Sequence, residues 1–254
     1  MSQKNVASHE NFCKAKNGSK SGGVGADGIS NCLEKNPADF TPLFLEGKYR
    51  TKILLVRHGE SQGNARHAFL GHTDLDLSPR GYEQAKRTAK FLLPTPIDKI
   101  YTSDLQRAFN TGVEIGNAKG LTPEPNSALR ELFLGKWEGM TVADINEKYS
   151  DLFEQWKNDF GTFCCPGGES VAHLQSRIYD EVLRLAKLNE GKTILLSFHA
   201  AAIRVLYAKV AGVSLEDLNG AFNFPYNASV SVIYFDGEKL IEGEYSHMQH
   251  LTDI

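Results

Sequence analysis

The sequence predicts an α/β fold: a three-layer α/β/α sandwich around a mostly parallel sheet with an antiparallel edge. Three observations predict it. Two short apolar runs, Ile53–Val56 and Thr193–Phe198, have the unbroken hydrophobicity of strands covered on both faces. Strand-like and helix-like segments alternate between them. Near the C-terminal end, Asp236-Gly237 lies between two strand-like runs, which signals a hairpin and therefore an antiparallel pair.

Taken in chain order, residues 14–31 are dominated by Gly, Ser, Lys, Asn and Asp, with few apolar side chains to offset the entropy of ordering. Residues 1–50 thus read as a flexible extension, and 51–254 as one domain. Phe40, Leu43, Phe44 and Leu45 form an apolar patch that either docks on that domain or simply precedes it. The first strand, at Ile53–Val56, leads to a helix over Ser78–Phe91, with Pro79 at a favoured first-turn position and Ala85, Ala89 and Leu92 on one side. A strand at Lys99–Thr102 and a helix at Leu105–Asn117 come next, then helical patterning from Val142 to Trp156. Gly167 and Gly168 interrupt the chain before a long amphipathic helix, Val171–Leu188. The second apolar strand, a helix at Ala201–Ala211 and the hairpin strands Ser229–Phe235 and Lys239–Tyr245 complete the series.

Composition narrows the class of function. With 254 residues, 41% of them hydrophobic, the chain is large enough for one sizeable core. A net charge of -3 and a pI near 6.2 provide no general attraction for nucleic acid or an anionic membrane, so neither is expected as a partner. No apolar stretch reaches the roughly 20 residues of a membrane helix, and the N-terminal segment lacks a signal-peptide core, which predicts a soluble cytoplasmic protein. Cys13, Cys32, Cys164 and Cys165 do not form a disulfide or zinc pattern and read as reduced thiols. The oligomeric state is not fixed by the sequence, and a dimer is left open.

Both apolar strands run directly into histidine: Ile53–Val56 into Arg57-His58-Gly59, and Thr193–Phe198 into His199. Ligands of open α/β sheets bind outside the carboxyl ends of strands, so these residues are expected to converge there. Arg57 reads either as one half of a buried ion pair or as a fork for an anion; an unpaired buried guanidinium is costly. Arg107, one turn into the helix after the second strand, is placed to point into the same crevice. A metal centre is disfavoured, because the usual spaced His and Glu motifs and close aspartate pairs are absent. Thr73, Asp74 and Asp76 read as turn residues leading into the helix at Ser78.

The run Leu55-Val56-Arg57-His58-Gly59-Glu60-Ser61, with Asn64, resembles the signature of the histidine phosphatase superfamily, also called the phosphoglycerate mutase-like family. The resemblance continues through Gly71-His72-Thr73-Asp74, Leu77-Ser78-Pro79-Arg80-Gly81, Thr102 to Ala108, Leu129-Arg130-Glu131-Leu132, Gly135 to Gly139, Pro166 to Ser170 and His199-Ala200. It implies that 51–254 is a catalytic domain in which His58 takes up a phosphoryl group covalently, without metal or cofactor. It assigns phosphate binding to Arg57, Asn64, Arg107, His199 and the backbone of Ala200, and substrate contact to Leu70 and Gly71. Glu131 becomes the acid that protonates the leaving oxygen, a carboxyl whose charged form is disfavoured beside a phosphate dianion; its plain alternative is a helix cap or a partner of Arg130. Glu60 and Glu169 read either as supports behind the site or as helix-start carboxylates.

Two departures from the family pattern matter. Ala200 replaces a frequent Gly, which is costly only where φ must be positive, and Gly63 precedes Asn64 where the mutases carry Trp. Residues 158–166 lack the arginine pair of the mutases, and Gly135 to Thr141 resembles the phosphatase branch. The expected function is hydrolysis of a small phosphorylated metabolite. The alternatives are a 2,3-bisphosphoglycerate-dependent mutase and a non-catalytic phospho-ligand binding module. Trp137, Trp156, Phe160 and Phe163 either line the mouth and favour an apolar or aromatic leaving group or pack in the core.

Overall fold

The computed structural model describes residues 49–252. The apolar patch at 40–45, the glycine-rich stretch, Cys13 and Cys32 lie outside the described residues. In chain order the elements are β1 (Thr51–Arg57), α1 (Pro79–Phe91), β2 (Lys99–Thr102), α2 (Gln106–Lys119), β3 (Glu124–Pro125), α3 (Val142–Lys148), α4 (Ser150–Asn158), α5 (Val171–Leu188), β4 (Thr193–Phe198), α6 (Ala200–Val210), α7 (Leu218–Ala221), β5 (Val230–Phe235) and β6 (Leu240–Glu242).

One six-stranded sheet has the order β3-β2-β4-β1-β5-β6. The first four of these are mutually parallel, and β5 pairs antiparallel with both β1 and β6, so the expected mixed sheet with an antiparallel edge is present. Alternation along β1 explains the three layers. Leu54 and Val56 face Ala89, Leu92 and Ile115 of α1 and α2, while Ile53 and Leu55 face Leu174, Ile178, Val182 and the Ala202–Leu206 stretch of α5 and α6. With both faces covered, β1 and β4 bury nearly every side chain, which is why they read as continuous apolar runs. On α5 the buried positions Val171, Leu174, Ile178, Val182 and Leu185 recur every three or four residues, the stripe of a helix lying on a sheet.

Three local outcomes differ from the sequence reading. The pattern over Val142–Trp156 is two helices, because Tyr149 leaves helical geometry (φ -141°, ψ 42°) and its ring packs 6.3 Å from that of Trp137. β6 is shorter than expected; beyond Glu242 the pairing becomes irregular, though Val232 N still donates to Glu244 O. The edge strand β3 and the single-turn α7 carry no period long enough to read.

The aromatic residues proposed for the mouth are mostly core. Trp137, Phe160 and Phe163 are fully buried, and Trp156 joins them with ring centroids 4.7 Å from Phe160 and 5.1 Å from Phe163. Phe69, Phe153 and Phe224 extend the same cluster. These rings bury large apolar area beneath α3 and α4, and core packing is the reading that holds.

Candidate active site

Strand pairing brings the two histidines together. β1 and β4 are neighbours, with Arg57 opposite Phe198, so the next residues, His58 and His199, leave the sheet side by side at its carboxyl edge. His58 N donates to Phe198 O (3.0 Å), and the two imidazole centroids are 5.2 Å apart with planes at 63°. Both are buried, His58 at 4% and His199 at 0% exposure.

Close backbone approach sets the depth of His58. A Cβ on Gly59 would meet Gly81 O at 2.4 Å, and one on Gly81 would meet Glu60 O at 2.0 Å, so both glycines are required where the loop after β1 crosses the first turn of α1. Gly59 N donates to Thr111 Oγ1 of α2 (3.1 Å), and Ala228 N and Asn227 Nδ2 hold the carbonyl of His58 (3.2 and 3.0 Å).

The ring of His58 is oriented by its own chain. Nδ1 lies 2.6 Å from Gly59 O, and a carbonyl only accepts, so Nδ1 carries the proton and Nε2 bears the lone pair. Burial first, then the Arg107 and Arg57 charges, holds His58 well below the usual histidine range, which keeps the ring neutral. His199 is lowered in the same way, by burial and then by Arg107 and His58. Both of its ring nitrogens are buried without a protein partner among the described residues.

Two guanidinium groups face these rings. Arg57 is half-buried, donates through Nη1 to Pro225 O (2.5 Å), and has a buried Nε with no partner among the described residues. Arg107, 2% exposed, donates Nη1 to Thr73 O (2.9 Å) and Nη2 to Gly71 O (2.7 Å). Burial pushes each down to about 10, partly offset by the charge of Glu131. Among the described residues neither has a hydrogen-bonded carboxylate, so the cluster presents positive charge without a bonded counter-ion there, a setting that favours an anion.

Glu131 sits at the start of α6. Its Oε2 accepts from Ala201 N (3.1 Å), and its Oε1 from Ala202 N (3.2 Å) and Leu132 N (2.9 Å). The partner of Arg130 is not Glu131 but Asp104, gripped by two hydrogen bonds of 2.8 and 2.6 Å. Ala200 is the first residue of α6 and not among the residues with positive φ, so alanine there is unstrained. Asn64 Oδ1 accepts from Ser61 N and Oγ (3.1 and 2.9 Å), which turns its amide nitrogen outward as a donor. Leu70 is buried against Gly63, and Gly71 offers its carbonyl to Arg107, so both shape the loop beneath the site.

The remaining acidic residues resolve differently. Asp74 caps α2 through Gln106 N (2.7 Å) rather than leading into α1. Asp76 accepts from Leu77 N, Tyr82 Oη and Asn110 Nδ2. Glu60 accepts from Ser78 Oγ (2.6 Å), the cap of α1, and pairs with Arg80. Glu169 grips Arg177 through Nε and Nη2 (3.0 and 2.8 Å).

Two residues that the sequence reading left without a role organise this geometry. Glu138 accepts from His72 N (2.8 Å), Thr73 N (2.6 Å), Thr73 Oγ1 (2.7 Å) and Leu134 N (2.9 Å), fixing the loop whose carbonyls hold Arg107. Arg177 donates to the carbonyls of Ala128 (2.9 Å), Arg130 (3.0 Å) and Glu131 (3.2 Å), clamping the segment that carries Glu131. Glu138 lies within a recognisable motif, and Arg177 is a basic residue on an otherwise ordinary amphipathic helix. Among the described residues no group of three or more His, Cys, Asp or Glu is placed to hold a metal ion, and no helix is long and apolar enough to cross a membrane.

Known proteins resemble this chain over most of its described length. Phosphoserine phosphatase 1 of Hydrogenobacter thermophilus is 35% identical over 204 residues, covering 80% of this chain and 95% of that protein. A 2,3-bisphosphoglycerate-dependent phosphoglycerate mutase of Cytophaga hutchinsonii is 32% identical, covering 65% of this chain and 80% of that protein. The solved structure of Bacillus stearothermophilus YhfR superposes with a TM-score of 0.75 at 27% identity, covering 79% of this chain and 98% of that one. The family model for branch 1 of the histidine phosphatases matches residues 53–244, and with the paired histidines at the edge of the sheet it makes this chain a member of the histidine phosphatase superfamily.

Proposed function

We propose that this protein hydrolyses phosphate monoesters of small metabolites through a phosphohistidine at His58, with residues 51–254 as the catalytic domain. The observation that carries the reading is the orientation of His58: Nδ1 bonded to Gly59 O and Nε2 left as a buried, neutral nucleophile between two arginines. Membership of the family and the phosphatases among its relatives support the same reading.

In the first step the Nε2 lone pair attacks phosphorus and the ester oxygen leaves with the bonding electrons, taking a proton from Glu131. In the second, water attacks the phosphohistidine, Glu131 takes a proton from the water, and His58 leaves as the neutral ring. Arg57, Arg107, a ring N–H of His199, the Asn64 amide and the Ala200 N–H stabilise charge on the phosphoryl oxygens, so fixed protein donors do the work given elsewhere to a metal. Hydrolysis is favoured over mutase activity because residues 158–166 lack an arginine pair, and Arg130 and Arg177 beside Glu131 are engaged with Asp104 and Glu169. A cytoplasmic setting, with Cys164 and Cys165 as reduced thiols, is part of the same proposal.

The test is release of p-nitrophenol from p-nitrophenyl phosphate in excess chelator. Activity that survives chelation and vanishes in His58→Ala supports the proposal. Loss on chelation, or an active His58→Ala protein, refutes it.

A further inference from the structure

We propose that the groove beside Glu131 receives the leaving group, and that it selects uncharged, ring-bearing alcohols over alcohols that carry a second anion. This inference rests on the hydrolytic reading above and adds the substrate class. His72, Phe133, Cys164, Glu169, His173 and Arg177 are among the residues lining the groove. It adjoins the segment that carries the acid: His72 Nε2 lies 2.8 Å and Arg177 Nη2 3.2 Å from the main-chain carbonyl of Glu131, and Phe133 is two residues further along the chain. His72 is also close enough to His199 to act on its protonation. An ester held with its phosphorus at His58 and its leaving oxygen at Glu131 therefore extends its alcohol into this groove.

Charge decides what the groove accepts. Arg177 is the one arginine or lysine among the described residues lining it, and all three of its guanidinium nitrogens are engaged, by both oxygens of Glu169 and by the carbonyls of residues 128, 130 and 131. His173 is turned to the same carboxylate at 2.6 Å. A carboxylate or second phosphate on the alcohol would be moved out of water toward Glu169 without a free cation to meet it, which is unfavourable.

A ring meets better partners. Phe133 is 39% exposed, and its ring lies 5.2 Å from that of His72 at an angle of 50°, which forms an aromatic platform at the mouth. Because the carbonyl of Glu131 accepts from His72 Nε2, the neutral ring carries its lone pair on Nδ1, an acceptor for a hydroxyl or N–H on the leaving group. The selectivity sets this chain apart from its relative named for phosphoserine.

The experiment compares kcat/KM for benzyl phosphate, ethyl phosphate, O-phosphoserine and 3-phosphoglycerate, all with alkyl leaving oxygens, in the wild type, Phe133→Ala and Cys164→Arg. The expected wild-type preference for benzyl phosphate over either carboxylate ester is about tenfold or more. Phe133→Ala lowers benzyl phosphate turnover by about tenfold and leaves ethyl phosphate within about twofold. Cys164→Arg supplies a free guanidinium and raises kcat/KM for 3-phosphoglycerate by about fivefold or more. A wild-type enzyme that prefers phosphoserine or phosphoglycerate overturns the subsite, as does a Phe133→Ala protein that loses benzyl and ethyl phosphate equally. Failure of the wild type to hydrolyse any of the four esters overturns the hydrolytic reading itself.

Discussion

Replacing Glu138 by Gln alters one atom of a side chain whose oxygens are occupied by protein donors, and the structure gives the size of the effect. The two carboxylate oxygens accept four hydrogen bonds, three of them from backbone N–H groups. A glutamine has one carbonyl oxygen, so whichever way it turns, its NH2 faces a backbone N–H. The better choice puts NH2 toward Thr73, whose hydroxyl can reverse and accept while its N–H loses its partner. One unpaired N–H and the loss of charge assistance together cost about 2 kcal/mol in this half-buried site. For a domain of this size that lowers Tm by about 4–8 °C. The consequence for activity is larger than the stability loss suggests, because the loop at 71–73 supplies the two carbonyls that hold Arg107. Displacing a charge on the transferring group by even an ångström costs about 10–100-fold in rate. With Arg107 acting on the transition state as proposed, kcat and kcat/KM are expected to fall together. Steady-state kinetics with p-nitrophenyl phosphate and a thermal melt of the same protein measure both numbers. A Glu138→Gln enzyme with a lowered Tm and a kcat/KM within about threefold of wild type would refute the link from Glu138 through the loop to Arg107.

Three further outcomes follow from the same geometry. Gly81→Ala places a methyl 2.0 Å from Glu60 O, a backbone atom with little room to yield, so it is expected to destabilise by about 2 kcal/mol or more in urea unfolding and to depress activity by shifting the loop that carries His58. Ala200→Gly is expected to leave kcat within about twofold, because position 200 has an ordinary helical backbone and the N–H is retained. His250, stacked 4.5 Å from Phe91 and close to Thr88 Oγ1 (3.0 Å), is lowered by burial to about 4. The unfolded chain therefore binds more protons than the folded one between about pH 6.5 and 4, and stability falls as pH drops through that window. The loss is at most about 2 kcal/mol by pH 5, and His250→Gln removes it; equal acid sensitivity of wild type and variant in pH-dependent melts would contradict this assignment.

Much of the fold was legible because β1 and β4 are buried on both faces, and burial on both faces leaves an unambiguous apolar run. The junction of the first histidine and the arginine before it with the second histidine was equally legible, since strand ends are where such sheets bind ligands. What was hidden depends on contacts across sequence distance. Glu138 looks like one more motif carboxylate until the chain folds residues 72 and 73 onto it, and Arg177 lies 46 residues from the carbonyl of Glu131 that it holds. Nor does the sequence tell a core tryptophan from one at a mouth: Trp137 and Phe133 are four positions apart, yet only Phe133 is exposed. The break at Tyr149 is a tertiary effect of the same kind, because packing on Trp137 overrides a helical period that runs on through it.

The proposed hydrolysis requires a bond between Nε2 of residue 58 and phosphorus. Rapid mixing with a labelled monoester, quenching in alkali where a phosphohistidine survives, and peptide mass spectrometry measure that bond directly. One phosphoryl group per chain on the peptide containing His58, absent from His58→Ala and lost on brief acid treatment, is the predicted result. A turnover-competent enzyme with no phosphopeptide, or with phosphate on any other residue, contradicts it.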